Sequence, residues 1–307
     1  MTLPTAILQV FAGIYGLLII ASAVCYGLSL KQQDVTELKQ RIISWWVMVS
    51  VILTFFALGE GFTITAIGIL SYLAFKEFVS IIPTRRTDHR PIFWAYIAIP
   101  FQFYWIYIGW YGMFIIFIPL YMMLFIPMRM VLIGNTKQFT VAASTINWLL
   151  LLTVFSLGHM AYLIKLPPAD TSISGVGLVL FLLLLTQFND VAQFTFGKLF
   201  GKHKVLETVS PKKTIEGLLG GIFTTTLLAI LLAPVLTPLD LTYSICAGLL
   251  ISLFGFIGDV SISAVKRDLG IKDAGSMIPG HGGILDRVDS LTFTAPLFFH
   301  FIRYLHY

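Results

Sequence analysis

The chain has 307 residues, 57% of them hydrophobic and only 11% charged, whereas a soluble domain carries about a quarter charged residues. Together with a mean hydropathy of +0.89, this excludes an ordinary soluble domain and places the chain in lipid. The net charge of +5 is dispersed over short loops between apolar runs, which argues for membrane topology and against a nucleic-acid partner.

At the N-terminus, Met1-Thr2-Leu3-Pro4 offers no basic residue before the first apolar run. It lacks the charged region of a cleavable signal peptide, so the first helix is expected to stay. Runs near 6–28, 43–58, 141–164, 174–188, 218–236 and 241–257 are long or apolar enough to span a hydrocarbon core, which needs roughly 20 helical residues. Unpaired backbone cannot face lipid, so the fold class is all-α, a polytopic helical membrane protein.

Turns near 29–42, 59–61, 83–90, 107–109, 128–140, 165–173, 197–216, 237–240 and 264–289 divide the chain into ten spans. The count is nine if the short run at 291–305 does not cross. Loops 29–42, 83–90, 128–140, 197–216 and 264–289 hold 17 Lys and Arg, against Lys165 and Arg303 on the other side, with Lys76 inside a span. By the positive-inside rule the N-terminus lies outside, and the two longest polar loops, 197–216 and 264–289, face the cytoplasm. The location expected is therefore an integral multi-pass membrane protein, in the inner membrane if bacterial. With no internal repeat and no low-complexity linker, residues 1–307 read as one membrane domain. Residues 1–170 have a general polytopic pattern, and 171–307 carry the polar chemistry. Cys25 and Cys246 are the only cysteines and sit in apolar stretches, so they read as packing residues, without a disulfide framework or thiolate metal cage.

An acid inside a lipid span costs about 3 kcal/mol on insertion scales and needs a partner or polar cavity. Asp190, after Asn189, and Asp259 are therefore read as functional, and Glu77, directly after Lys76, as structural or gating. Glu60 reads as a membrane boundary, Asp268 and Glu207 as solvated loop acids, and the aromatic crowd at 93–111 as interfacial anchoring. The loop from Gly197 to Gly217 has three readings: a phosphate platform, a snorkelling belt, or a topogenic loop. Lys198, Lys202 and Lys204 suit the last two. Lys212 and Lys213 suit the first, because Ser210-Pro211 can end an extended piece and Thr214 can cap a helix beginning near Glu216. A helix N-terminus beside two lysines is a natural anion site.

Charge, glycine and carboxylate are densest between Ser263 and Asp289. If the preceding span continues as a helix, Asp259, Ser263, Lys266 and Arg267 share one face. Asp286 and Asp289, three apart, would point alike on a helical turn. Carboxylate oxygens suit Mg²⁺, which completes its shell with water and phosphate. Gly282-Gly283 would let backbone N–H groups approach an anion, or would form a plain tight turn. His281 reads as a general base, a phosphate donor or a hydrogen-bonding strut.

In this run Ser263, Lys266, Arg267, Lys272, Asp273, Pro279, His281, Gly282, Gly283, Asp286, Arg287 and Asp289 resemble the motif of the phosphatidate cytidylyltransferases, or CDP-diglyceride synthases. Ser-Pro-Lys-Lys-Thr-x-Glu-Gly at 210–217 is similar to a second block of that family, and 190–201 to a third. The resemblance covers about the last 120 residues. It implies a largely helical, dimeric membrane enzyme that uses CTP and Mg²⁺ to turn phosphatidate into CDP-diacylglycerol, with metal-binding acids at Asp259 and Asp286 and Asp289 close by. Gln193 stands where family members commonly carry an aromatic residue, a departure that bears on the lipid acceptor rather than on nucleotidyl transfer.

The expected site then has Asp259, Asp286, Asp289 and Asp190 around one or two cations, with Lys266, Arg267, Lys272, His281 and Arg287 as catalytic groups. Ser263, Lys212, Lys213, Gly282 and Gly283 would bind substrate. The partners are CTP, phosphatidate or a related lipid phosphate, membrane lipid and a second copy of the chain. Two other readings use the same features: a CTP-dependent lipid kinase, and a non-catalytic lipid or ion transporter. The second is disfavoured because charge gathers on one side of the membrane rather than across its midplane.

Overall fold

A computed structural model describes residues 3–32, 34–166, 174–275, 277 and 282–306. Apolar runs become α1 (Thr5–Leu30), α2 (Thr36–Leu58), α3 (Glu60–Ile81), α4 (His89–Tyr107), α5 (Tyr111–Val131) and α6 (Phe139–Leu163). They continue as α7 (Gly175–Phe200), α8 (Ile215–Leu236), α9 (Leu241–Asp268), the single turn α10 (Leu285–Val288) and α11 (Leu291–His306). Among the described residues, eight helices are long and apolar enough to cross a membrane, namely all but α4, α10 and α11.

The fold is nearly all-α, with one correction. The polar loop after α7 contains an antiparallel hairpin, β1 (Lys204–Leu206) and β2 (Ser210–Thr214), with Lys204 opposite Thr214. Only hydrocarbon forbids an open sheet edge, and a hairpin in a polar loop escapes that limit. The polar loops are also shorter than 197–216 and 264–289, because α7 runs to Phe200 and α9 to Asp268. Lys198, Lys266 and Arg267 lie in the last turns of these helices, where cations complement the helix dipole.

α11 has only 16 residues, yet Phe298 and Phe299 are fully buried. It packs on α6 and α9, so protein rather than lipid surrounds much of it. α1, by contrast, leaves Leu17, Ile19, Ile20 and Val24 exposed on an apolar surface suited to lipid. Of the two cysteines, both free, Cys25 is buried as a packing residue, but Cys246 is exposed on α9.

The chain has two distinct ends. At one, Lys165 pairs with Glu60 and lies over the Tyr107 ring, and the Tyr162 hydroxyl donates to the Gly109 carbonyl at 2.8 Å. At the other, the hairpin meets the end of α9 through Arg267 Nε, which donates to the Val209 carbonyl at 3.2 Å.

α7 and α8 are in very close contact because α8 begins with glycines. A Cβ at Gly217 would lie 2.6 Å from the Gln193 carbonyl oxygen, and one at Gly221 would lie 2.5 Å from Gln193 Cγ. Asn189 ties the pair to α9: its Nδ2 donates to the Ser252 carbonyl at 3.2 Å, and its Oδ1 accepts from Thr225 Oγ1 at 3.2 Å. Asp190, the next residue, is thereby held where α7, α8, α9 and α11 converge.

A carboxylate and lysine cluster at one end of the helix bundle

Thr214 caps α8, its Oγ1 accepting the Gly217 N–H at 3.1 Å. The preceding strand residues alternate between faces, so Lys213 turns inward and Lys212 lies exposed. Lys213 Nζ pairs with Asp259 Oδ2 at 2.5 Å and donates to Gln193 Oε1 at 3.1 Å. It also stands 5.0 Å over the Phe256 ring. Of the two lysines expected to bind substrate, only Lys213 enters the cluster.

α9 presents Asp259, Ser263 and Lys266 along one face. Ser263 Oγ donates to Asp259 Oδ1 at 3.2 Å, and Lys266 Nζ pairs with Asp286 Oδ1 at 2.7 Å. Arg267 departs from the expected face, because its guanidinium donates to the carbonyls of Val209 and Ile271. It braces the hairpin against the loop after α9.

Asp286 and Asp289 are three apart but have different partners. Asp286 Oδ2 accepts the backbone N–H groups of Ala274 at 3.0 Å and Gly283 at 3.1 Å. The anion that the Gly283 N–H approaches is thus the protein's own Asp286. Gly282 has φ +80°, where glycine is favoured. Asp289 Oδ1 accepts the Ser290 N–H at 2.7 Å, while Ser290 Oγ lies 3.2 Å from each carboxylate oxygen of Asp190. Ser290 therefore joins two acids. Burial, and then the nearby charges of Asp259 and Asp190, hold the Asp289 carboxyl well above the usual carboxylate range.

Arg287 is half-buried, its Nε has no hydrogen-bond partner among the described residues, and its charge acts on Asp190. Lys272 is exposed on the loop. His281 lies outside the described residues, as does Pro279. Three participants were not singled out as site residues from the sequence: Ser290, Gln193 as the partner of Lys213, and Glu77, whose Oε2 accepts the Leu285 N–H at 2.7 Å. The signals for the first two were the Asp-Ser pair at 289–290 and, for Gln193, its departure from the family's usual aromatic residue and its i, i+3 spacing from Asp190.

Among the described residues, no three His, Cys, Asp or Glu side chains are arranged to hold a metal ion by themselves. The donor chemistry nevertheless fits a hard cation. Asp190, Asp259 and Asp289 offer only oxygens, and the raised Asp289 marks a place short of positive charge. Mg²⁺ takes few protein carboxylates and fills its shell with water and phosphate. Asp286 fits less directly, since it accepts two backbone N–H groups besides its pair with Lys266, whereas the hydrogen-bond and ion-pair partners of Asp259 and Asp190 are side chains that can turn away.

The model of the cytidylyltransferase family matches residues 39–305. A protein of Escherichia coli (strain K12) called uncharacterized protein YnbB is 42% identical over 298 residues, covering 96% of this chain and 98% of that protein. The phosphatidate cytidylyltransferase of Staphylococcus aureus (strain COL) is 40% identical over 130 residues. That of Staphylococcus saprophyticus is 40% identical over 134 residues. Each of these two alignments spans 42% of this chain and 50% of the relative.

Proposed function

We propose, since the chain belongs to the cytidylyltransferase family, that it transfers CMP from CTP to the phosphate of phosphatidate, giving CDP-diacylglycerol and pyrophosphate. The observation that carries this reading is the interleaving of Lys213 and Lys266 with Asp190, Asp259, Asp286 and Asp289 at one end of the bundle. Such a cluster suits polyphosphate and a hard cation, whose charges would replace the internal pairs.

A phosphomonoester has a second pKa of about 6, so the lipid phosphate already carries an anionic oxygen at neutral pH. That oxygen attacks the α-phosphorus of CTP and forms the new P–O bond. The bond from the α-phosphorus to the α,β-bridging oxygen breaks, and its electron pair leaves on pyrophosphate. No protein nucleophile is needed. The task of the chain is to hold two anions in line and offset their repulsion. Lys213, Lys266 and Arg287 would neutralise phosphate charge, with Arg267 at the end of α9 and Lys272 and His281 beyond it as contributors. Ser263 and Ser290 hold Asp259 and Asp190 in position. Mg²⁺, as one ion or two, would be held by Asp190, Asp259 and Asp289, with Asp286 beside them, and would supply charge neutralisation on the phosphates.

The enzyme would work as a homodimer with nine or ten spans, the N-terminus outside and the site facing the cytoplasm, in the inner membrane if bacterial. Phosphatidate is the acceptor chosen because the partly aligned relatives bear that name, and Gln193 beside Lys213 is the residue most relevant to a different lipid phosphate.

The test gives detergent-purified protein CTP, Mg²⁺ and a panel of lipid phosphates. Label on the α-phosphorus should enter lipid, and label on the γ-phosphorus should leave as pyrophosphate. Label from the γ-phosphorus in the lipid would replace this reading with a lipid kinase, and movement of neither label would favour a transporter.

A further inference from the structure

Glu77 is a buried acid on α3, 7% exposed, far in sequence from the carboxylate cluster. Its Oε2 accepts the Leu285 N–H at 2.7 Å across 208 positions. Leu285 opens α10, the turn that carries Asp286 and Arg287 and leads into Asp289 and Ser290. The same carboxyl abuts two glycines of the loop. A Cβ built on either Gly275 or Gly283 would overlap Glu77 Oε1, so only a bare backbone fits there.

Asp286 holds the same segment from the other side, accepting the Ala274 and Gly283 N–H groups while paired with Lys266 on α9. Two carboxylates, one from α3 and one from α10, therefore grip the backbone at 274–275 and at 283–285. Without Glu77 the Leu285 N–H is a buried donor with no acceptor, and the start of α10 loses this hydrogen bond to α3. Asp286 ties the segment to α9 through Lys266, and Glu77 ties it to α3.

We propose that Glu77 is a positioning residue: it anchors the start of α10 at Leu285, with Gly275 and Gly283 packed against it, so that Asp286 meets Lys266 and Asp289 meets Asp190 and Asp259. Its effect on turnover rests on the nucleotidyl-transfer reading above, whereas its hold on the loop does not. Glu77 touches no reacting atom in this role. A carboxamide should therefore substitute in part, since Gln retains an oxygen for the Leu285 N–H, while Leu does not.

The experiment uses the full chain in detergent, with Ala274→Cys as a reporter of loop opening in a Cys25→Ala, Cys246→Ala background. Ala274 is buried, so its replacement should be protected from a thiol reagent while the loop is held. Glu77→Leu should label faster and should lower kcat by about 10- to 100-fold, the range for losing a group that orients a catalytic shell, with KM for CTP little changed. Glu77→Gln should recover most of both. Gly283→Ala supplies a second route, because its methyl group would displace the Glu77 carboxyl in a protein that keeps Glu77. It too should expose position 274 and slow turnover. Unchanged labelling in Glu77→Leu or in Gly283→Ala would overturn the proposal, as would wild-type kcat in Glu77→Leu. If the unsubstituted protein makes no CDP-lipid, the nucleotidyl-transfer reading fails, and the labelling still decides the role of Glu77.

Discussion

Lys213 and Asp259 form an ion pair at 2.5 Å that joins β2 to α9. Its neighbour Lys212 lies exposed on the opposite face of the strand. Two adjacent lysines of identical chemistry should thus behave differently. Lys213→Ala is expected to lower kcat/KM by about 10²- to 10³-fold, the range for removing one preorganised donor at a developing charge. Lys212→Ala should leave kcat/KM close to that of the unsubstituted protein and change stability by no more than about 0.5 kcal/mol, as for ordinary surface positions. Both are read from CDP-lipid formation at fixed Mg²⁺, and equal losses would contradict the placement of Lys213.

Asp286 has structural work as well as any role with substrate. It compensates Lys266, whose side chain is only 11% exposed, and it accepts two backbone N–H groups. Asp286→Ala should destabilise the protein by about 3–5 kcal/mol, the cost of leaving a buried charge without its partner. Denaturant unfolding in detergent measures this. Adding Lys266→Met should recover part of the loss, because the unpaired charge goes, while turnover stays low. If Lys266→Met recovers no stability, the pair is not the source of the loss.

Much of the arrangement on α9 was legible from spacing: with the helix continued, Asp259, Ser263 and Lys266 fall on one face, and they do. Thr214 was legible as a cap from Ser-Pro-Lys-Lys-Thr, and it caps α8. Arg267 passed the same periodicity test yet turns away, because a hairpin carbonyl lies within its reach and periodicity carries no record of neighbouring elements. The hairpin itself was hidden by its composition, since β2 is mostly polar and lacks the apolar alternation that marks a half-buried strand. Glu77 was legible as a buried acid in need of a partner, but that partner is a backbone N–H 208 positions away. No side-chain pattern reports a backbone donor.

The distribution of basic residues makes a prediction about orientation. Single cysteines at Lys204 and Lys272, both exposed, should react with an impermeant reagent only after permeabilisation, in a Cys25→Ala, Cys246→Ala background. A cysteine at Ile108, beside Gly109 at the opposite end, should react in intact cells. The replacement of Cys246 matters here because that residue is exposed. External labelling at 204 or 272 would invert the topology and with it the cytoplasmic site.

Mg²⁺ should stabilise the protein even without nucleotide or lipid. Asp190, Asp259 and Asp289 lie close enough for their charges to oppose one another, and burial worsens the repulsion at Asp289. A cation that binds only the folded state adds about 2.7 kcal/mol at 100 times its Kd, so the apparent Tm in detergent should climb with Mg²⁺ and fall on chelation. Asp289→Asn removes the acid whose ionisation burial and its neighbours oppose, while its side-chain oxygen can still accept the Ser290 N–H. That variant should therefore unfold at a higher temperature than the unsubstituted protein when Mg²⁺ is absent, and should gain less when it is added. Asp268→Asn, at an exposed acid near the end of α9, should leave both the starting Tm and the Mg²⁺ increment unchanged. If Asp289→Asn shows the full increment, the cation binds without Asp289, and the shared carboxylate site is wrong.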